Sequence, residues 1–211
     1  MKFLEKLKYF FDSNKKEELQ KIINNLPQNE IICKEILEEK GNNHTNIKLD
    51  NDIKNSYYFY LNDTIYLAND KKSREIYARI LLIAHECRHT LQSKHLQKLN
   101  FILSNIELVL FIMILILKFI NLFNIIILVI YSVFVVLSII IRFILEYDAV
   151  KNSVKISKEY MENRLEKKES DFISDIFSFQ INLLFPISIV SLFLGKLIRI
   201  ILVLLLYLVL K

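Results

Sequence analysis

The chain contains few of the residues that normally interrupt secondary structure. It has two glycines and two prolines in 211 residues, which, with its high content of hydrophobic residues, excludes a disordered protein and an ordinary soluble domain and favours long helices. Two cysteines, Cys33 and Cys87, are too few for a disulfide framework and indicate a reducing compartment. Hydrophobic residues make up 53% of the chain and the mean hydropathy is +0.32, so we expect a mainly α-helical membrane protein.

Two long apolar segments account for this hydropathy. Residues 101–142 would form a single helix of roughly 60 Å, about twice a bilayer core, so we predict a transmembrane hairpin that turns at Asn121 and Asn124. Residues 176–211 contain Pro186 and Gly195, which allows either one long kinked helix or two short spans. We favour one C-terminal membrane helix.

A few charged residues lie within these predicted spans. Glu107 is either a functional carboxylate inside the membrane or, as we prefer, a residue at the level of the lipid headgroups. Lys118 is expected to extend to the interface near the turn, and we expect Lys196 and Arg199 to lie at an interface as well.

Basic residues predict the orientation of the protein. They are concentrated in the first hundred residues and in the segment 143–175, so the positive-inside rule places both in the cytoplasm, with the protein integral to the cell membrane. The net charge of +5 suits an anionic lipid bilayer, and no pattern in the sequence indicates nucleic-acid binding.

Two segments precede the first predicted span. Residues 1–28 are basic and amphipathic, and residues 1–11 are expected either to lie along the membrane surface or to pack as a helix on the soluble part. Residues 29–100 are predicted to form a small α+β domain, with a helix over 30–39 closed by Gly41 and strands at 57–61 and 64–67. The second strand either offers an edge to an extended peptide or belongs to a minor structural hairpin.

The most specific pattern in the chain is His-Glu-x-x-His at residues 85–89. Ser73 is a candidate helix cap, and no glycine or proline separates it from the motif, so we expect a helix to run into the motif. On a helix, His85 and His89 share one face and can bind one Zn²⁺, while Glu86 can contact a metal-bound water. The alternative is a buried helix with two hydrogen-bonded histidines, and Cys87 is interpreted as a packing residue.

Two further histidines are weak candidates for a third metal ligand. His95 has the metzincin spacing, but Gln92 occupies the position of the glycine that would turn the chain back. Residues 90–95 are therefore expected to continue the helix and carry His95 about 15 Å along its axis from His85. His44 lies in a polar segment without other ligand residues nearby.

Glu146 is the better candidate because both ends of the predicted hairpin emerge on one side of the membrane. Asp148 is then expected to hydrogen-bond a ligand imidazole and fix its tautomer. The alternative is that both acids are ordinary interfacial charges.

Taken in order, these elements resemble the YugP-like family of membrane-bound neutral zinc metallopeptidases from bacteria. The resemblance begins near Asn29 and covers residues 30–37, 63–67, 84–92 and 146–149 together with the apolar hairpin and the closing helix. It implies a zincin-like domain of the gluzincin type, with the hairpin inserted between ligand segments, and it implies a catalytic Glu86 and three metal ligands, His85, His89 and Glu146. The segment that contains Glu146 is also similar to the HtpX-type membrane peptidases.

Two features depart from this family. Arg88 replaces the glycine that is usual before the second histidine, which puts close packing of the motif helix in doubt. The family's N-terminal membrane helix is reduced here to residues 1–11.

The sequence therefore predicts a membrane-bound zinc metalloendopeptidase with one Zn²⁺ per chain that acts on peptides or proteins, membrane proteins among them. The alternative is a noncatalytic membrane protein that retains the fold. A zinc transporter or sensor would need ligands within the spans, where Glu107 is the available acidic residue.

Overall fold

A computed structural model describes Tyr9, residues 12–69 and 76–120, Leu122, and residues 124–209. The chain is mainly helical (76%) and has one small three-stranded sheet. In chain order the elements are α1 (Ser13–Ile23), α2 (Asn29–Glu39), β1 (Asn46–Asp50), β2 (Tyr57–Phe59), β3 (Thr64–Ala68), α3 (Arg79–Leu91), α4 (Lys94–Phe119), α5 (Ile125–Glu162) and α6 (Lys167–Val209).

The chain divides into two compact units. The first contains residues 1–92 and 147–185, and the second contains residues 93–146 and 186–211.

The sheet of the first unit has the order β1-β3-β2. β2 and β3 are antiparallel and are joined through a 3-10 turn at Tyr60–Asn62 and a left-handed Asp63 (φ 47°), which confirms the predicted hairpin. β1 runs parallel to β3 and was not predicted, although residues 46–50 (Asn-Ile-Lys-Leu-Asp) alternate polar and apolar side chains as a strand does. The alternation covers only five residues and lies in a polar stretch of the chain. β2 is left as one edge of the sheet.

The core of the first unit forms where β3 packs with α2 and α3. Ile65 and Leu67 of β3 are fully buried, as are apolar residues of the helices, namely Ile32, Cys33, Ile80, Ala84 and Cys87. The predicted helix over 30–39 is confirmed as α2, and Gly41 follows it at φ 71°, a left-handed conformation that favours glycine.

The motif helix α3 differs from its prediction at both ends. It begins at Arg79 rather than near Ser73, which lies outside the described residues. The guanidinium of Arg79 is buried and donates to backbone carbonyls of Ile23, Leu26 and Pro27, so α3 starts where that side chain is anchored.

The helix ends at Leu91, because Gln92 is extended (ψ 161°), and α4 begins at Lys94. The predicted continuation of one helix through residues 90–95 is therefore wrong.

The prediction for residues 1–11 falls almost wholly outside the described residues. Within this segment the structure describes Tyr9, which is buried and packs edge-on against Phe172 with ring centroids 5.2 Å apart.

Three helices, α4, α5 and α6, are long and apolar enough to cross a membrane, which is consistent with a membrane protein. α4 ends at Phe119 and α5 begins at Ile125, so the predicted break between the first two spans is confirmed. The side chain of Asn124 accepts hydrogen bonds from the amides of Ile126 and Ile127, which caps the start of α5. The last apolar segment is one helix that contains Pro186, as we favoured.

The second unit encloses an ionic cluster formed by Glu107, Arg199 and Lys196. Glu107 is 0% exposed and accepts two hydrogen bonds of 2.8 Å from the guanidinium of Arg199. Its side chain is thus buried within the second unit and paired with a cation, and its predicted position at the level of the lipid headgroups stays a prediction. Arg199 and Lys196 are both partners of this carboxylate, and their predicted position at an interface stays a prediction.

Candidate metal centre

His85 and His89 lie one helical turn apart on α3 and face each other. Their rings are edge-on, with centroids 4.7 Å apart, and the two Nε2 atoms are separated by 3.1 Å. Both side chains are half-buried. Two nitrogens that bind one tetrahedral Zn²⁺ at about 2.0–2.1 Å lie roughly 3.3 Å apart, so this spacing suits a shared metal ion.

Glu146 completes a group that can hold a metal ion. Its carboxylate and the two imidazoles offer ligand atoms that all lie within 4.8 Å of one another. Glu146 directly precedes Tyr147 on the uninterrupted helix α5, so the helix backbone fixes its position. Two imidazoles and a carboxylate are the ligand set of many zinc hydrolases, and the donors present therefore fit zinc.

Arg142 supports the Glu146 side chain from the preceding turn of α5. Its Nη2 lies 2.7 Å from Glu146 Oε1, and the Glu146 side chain is only 13% exposed. The ion pair reduces the cost of burying the carboxylate in its charged form, which is the form that binds metal.

Glu86 is held by the edge of the sheet. The backbone N–H of Tyr58 in β2 donates to Glu86 Oε2 at 2.7 Å. An amide donor of this kind favours the ionised carboxylate and restricts its rotation. The predicted catalytic base therefore stands next to His85 in a defined orientation.

Asp148 was predicted to hydrogen-bond a ligand imidazole, but its carboxylate makes its hydrogen bonds to other side chains. Its carboxylate accepts from both Nε and Nη2 of Arg88, from the amide of Gln92 and from the amide of Asn152. Gln92 in turn bonds His89, with Oε1 and Nδ1 2.9 Å apart. Asp148 thus acts on the histidine through one intervening amide.

Neither of the two weaker histidine candidates belongs to the metal-binding group. His95 is exposed on α4, beyond the break at Gln92. His44 Nε2 lies 3.5 Å from Asp63 Oδ2, and its side chain is 70% exposed.

Cys87 packs in the core on the opposite side of the motif helix. Its Sγ lies 3.6 Å from that of Cys33, and both residues are fully buried. Burial, followed by contact with Cys33, raises the pKa of the Cys87 thiol well above its usual value. The thiol therefore stays protonated, as a packing role requires.

Sequence reasoning missed four residues that hold the site in place: Arg88, Gln92, Arg142 and the amide of Tyr58. The contacts of two of them could have been found from their spacing in the sequence. Gln92 is three residues after His89, and Arg142 is four residues before Glu146 on the same helix. The partners of Arg88 and Tyr58 are distant in sequence, so no local spacing indicated these two contacts.

No family model, curated protein or solved structure matches the chain.

Proposed function

We propose that this protein is a membrane-bound, zinc-dependent endopeptidase with a zincin-like catalytic domain. The observation that carries the proposal is the convergence of His85, His89 and Glu146, with Glu86 adjacent on the same helix. The resemblance to a zinc metallopeptidase family noted in the sequence implies the same activity, and it rests in part on these same residues.

Each of these residues has a role that follows from its chemistry. The imidazoles and the Glu146 carboxylate would hold Zn²⁺, which lowers the pKa of a coordinated water toward ~7 and polarises a carbonyl. Glu86 is the general base: its carboxylate takes a proton from the attacking water as the new C–O bond forms, and returns it to the nitrogen as the C–N bond breaks. The Tyr58 amide orients Glu86 during both transfers.

The three apolar helices would keep this chemistry at a membrane surface, where peptides and membrane proteins are the available substrates. The distribution of basic residues favours the cytoplasmic face.

Glu86→Gln in the purified full-length protein tests the mechanism. Glutamine keeps the size of the side chain but cannot accept a proton, so zinc content should stay near one per chain while cleavage falls by about 10²- to 10⁴-fold. Zinc would be measured by mass spectrometry of the metal, and cleavage with a library of proteome-derived peptides. Equal cleavage by the variant and the wild type would refute the role of Glu86.

The alternative of a noncatalytic membrane protein predicts a different result. A well-folded wild-type protein that binds no zinc, or that binds zinc and cleaves no peptide faster than Glu86→Gln, would support the alternative and overturn our proposal.

A further inference from the structure

Gln92 occupies a specific position at the end of the motif helix. Its backbone is extended (ψ 161°) while its N–H still bonds the carbonyl of His89, and the side chain is 8% exposed. This conformation directs the amide group between the His89 imidazole and the Asp148 carboxylate.

The orientation of the Gln92 amide follows from its partners. A carboxylate only accepts hydrogen bonds, so Asp148 Oδ2, at 2.8 Å, must face the NH₂ group of Gln92. The Gln92 carbonyl oxygen is then the group that faces His89, at 2.9 Å from Nδ1. A carbonyl also only accepts, so His89 must carry its proton on Nδ1.

The consequence falls on the other ring nitrogen. With the proton on Nδ1, the lone pair of neutral His89 is on Nε2, the atom that lies 3.1 Å from Nε2 of His85. That is the nitrogen a shared metal ion would require.

Asp148 is itself fixed on its other side. Arg88 donates to both of its oxygens at 2.8 and 3.0 Å, and the Asn152 amide donates to Oδ1 at 2.8 Å. The carboxylate therefore cannot turn away from the NH₂ group of Gln92 without losing these bonds.

We infer that Gln92 is a positioning residue that selects the Nδ1-protonated tautomer of His89 and thereby prepares Nε2 to bind metal. In many metal sites a carboxylate contacts the ligand imidazole directly. Here the neutral amide of Gln92 separates them. Asp148 therefore fixes the orientation of the Gln92 amide, and through it the tautomer of His89, but it does not exchange a proton with His89. The inference deepens the proposed function, because it concerns the same metal centre.

Gln92→Met in the full-length protein is the principal test. Methionine has a similar volume and removes both hydrogen bonds, so zinc affinity should fall by about 10- to 100-fold, the usual effect of losing an outer hydrogen bond to a ligand. Gln180→Met is the matched control, because Gln180 is also buried in the first unit but its amide bonds the Tyr77 hydroxyl. The control should bind zinc with wild-type affinity.

A spectroscopic measurement makes the test independent of metal and activity. In chelator-treated protein labelled with ¹⁵N-histidine, the ring nitrogens of His89 report the tautomer directly. The wild type should show Nδ1–H alone, and Gln92→Met a mixture of tautomers. A pure Nδ1–H form in the variant, or unchanged zinc affinity, would overturn the inference.

The two proposals fail in different ways. If neither the wild type nor Gln92→Met binds zinc, the proposed function is wrong, and the tautomer measurement still decides the role of Gln92. If zinc binds and Glu86→Gln abolishes cleavage while the tautomer is unaffected by Gln92→Met, the function stands and the inference falls.

Discussion

Arg88 and Asp148 are joined by two hydrogen bonds, of 2.8 and 3.0 Å, although 60 residues separate them in the sequence. The pair links the motif helix α3 to α5 two residues after Glu146. Arg88 thus occupies the one position of the motif where glycine was expected, and its side chain contributes a contact that glycine could not make.

Replacing Arg88 by alanine should therefore destabilise the protein modestly. Both side chains are about one-third exposed, so solvent screens the pair and we expect a loss of about 1 kcal/mol in the free energy of unfolding. Arg88→Lys should lower the free energy of unfolding by less than Arg88→Ala, because the ammonium keeps the positive charge. It should still be less stable than the wild type, because an ammonium cannot form both hydrogen bonds in the same geometry. Chemical unfolding of the purified protein measures both.

The exposed pair formed by Lys155 and Glu159, 3.8 Å apart, provides the control. Lys155→Ala removes a similar charge where the lysine is 75% exposed, and it should change stability by less than about 0.5 kcal/mol. If Arg88→Ala and Lys155→Ala changed the free energy of unfolding equally, the two hydrogen bonds between Arg88 and Asp148 would contribute nothing to stability.

Much of this architecture was predictable because it depends on local periodicity or on chain length. The spacing of His85 and His89 sets one helix face, and a run of apolar residues twice as long as a bilayer is thick forces a reversal near Asn124. The same topology brought Glu146 into consideration as a ligand, and the structure places it with the histidines.

The remaining features depend on partners that are distant in sequence. The end of α3 at Leu91 follows from the bonds that Gln92 forms with His89 and Asp148, and without Asp148 in view a continuous helix was the simpler expectation. The pairing of Glu107 was not predicted for the same reason, since its partner Arg199 lies on another helix 92 residues later.

Removal of each metal ligand should affect zinc binding in a graded way. His85→Ala removes a nitrogen ligand and should abolish zinc binding. Glu146→Ala removes the carboxylate ligand and should lower the zinc affinity by more than about 100-fold, which is the upper end of the loss expected when a hydrogen bond to a ligand is removed. His95→Ala is the control and should retain one zinc per chain, because His95 is exposed and outside the group. Competition with a chromogenic zinc chelator measures the affinities, and loss of zinc in His95→Ala would contradict the ligand set.

The two buried cysteines should resist alkylation in the folded protein. Burial raises the pKa of the Cys87 thiol, so at pH 8 it holds less of the reactive thiolate than an ordinary cysteine. We expect iodoacetamide to modify neither Cys33 nor Cys87 until denaturant is added, when both should react. Mass spectrometry counts the modified thiols.

A zinc chelator distinguishes packing from metal binding at Cys87. If Cys87 were a ligand, removing zinc would expose it to alkylation. Protection that is the same with and without chelator agrees with a packing role, whereas chelator-dependent labelling of Cys87 would contradict it.

The ionic cluster of the second unit leads to a prediction about stability. Glu107 is fully buried and accepts hydrogen bonds from Arg199 and from the Tyr131 hydroxyl, while Lys196 Nζ lies 3.6 Å from Oε2. Lys196 also donates to Ser138 of α5 at 2.7 Å. Side chains of α5 and α6 therefore converge on a single carboxylate of α4.

Glu107→Gln should be strongly destabilising, because it leaves Arg199 and Lys196 as two neighbouring cations without an anion. Breaking a buried ion pair in this way costs about 3–5 kcal/mol. The double variant Glu107→Leu with Arg199→Met should recover part of this loss, since it removes one charge of each sign and restores apolar packing.

Ser132→Ala is the control within the same unit, because its hydroxyl bonds only the preceding turn of its own helix, at Leu128. Thermal unfolding of the four proteins in detergent gives the ranking. A double variant less stable than Glu107→Gln, or a Glu107→Gln protein as stable as Ser132→Ala, would mean that the carboxylate does not hold these helices together.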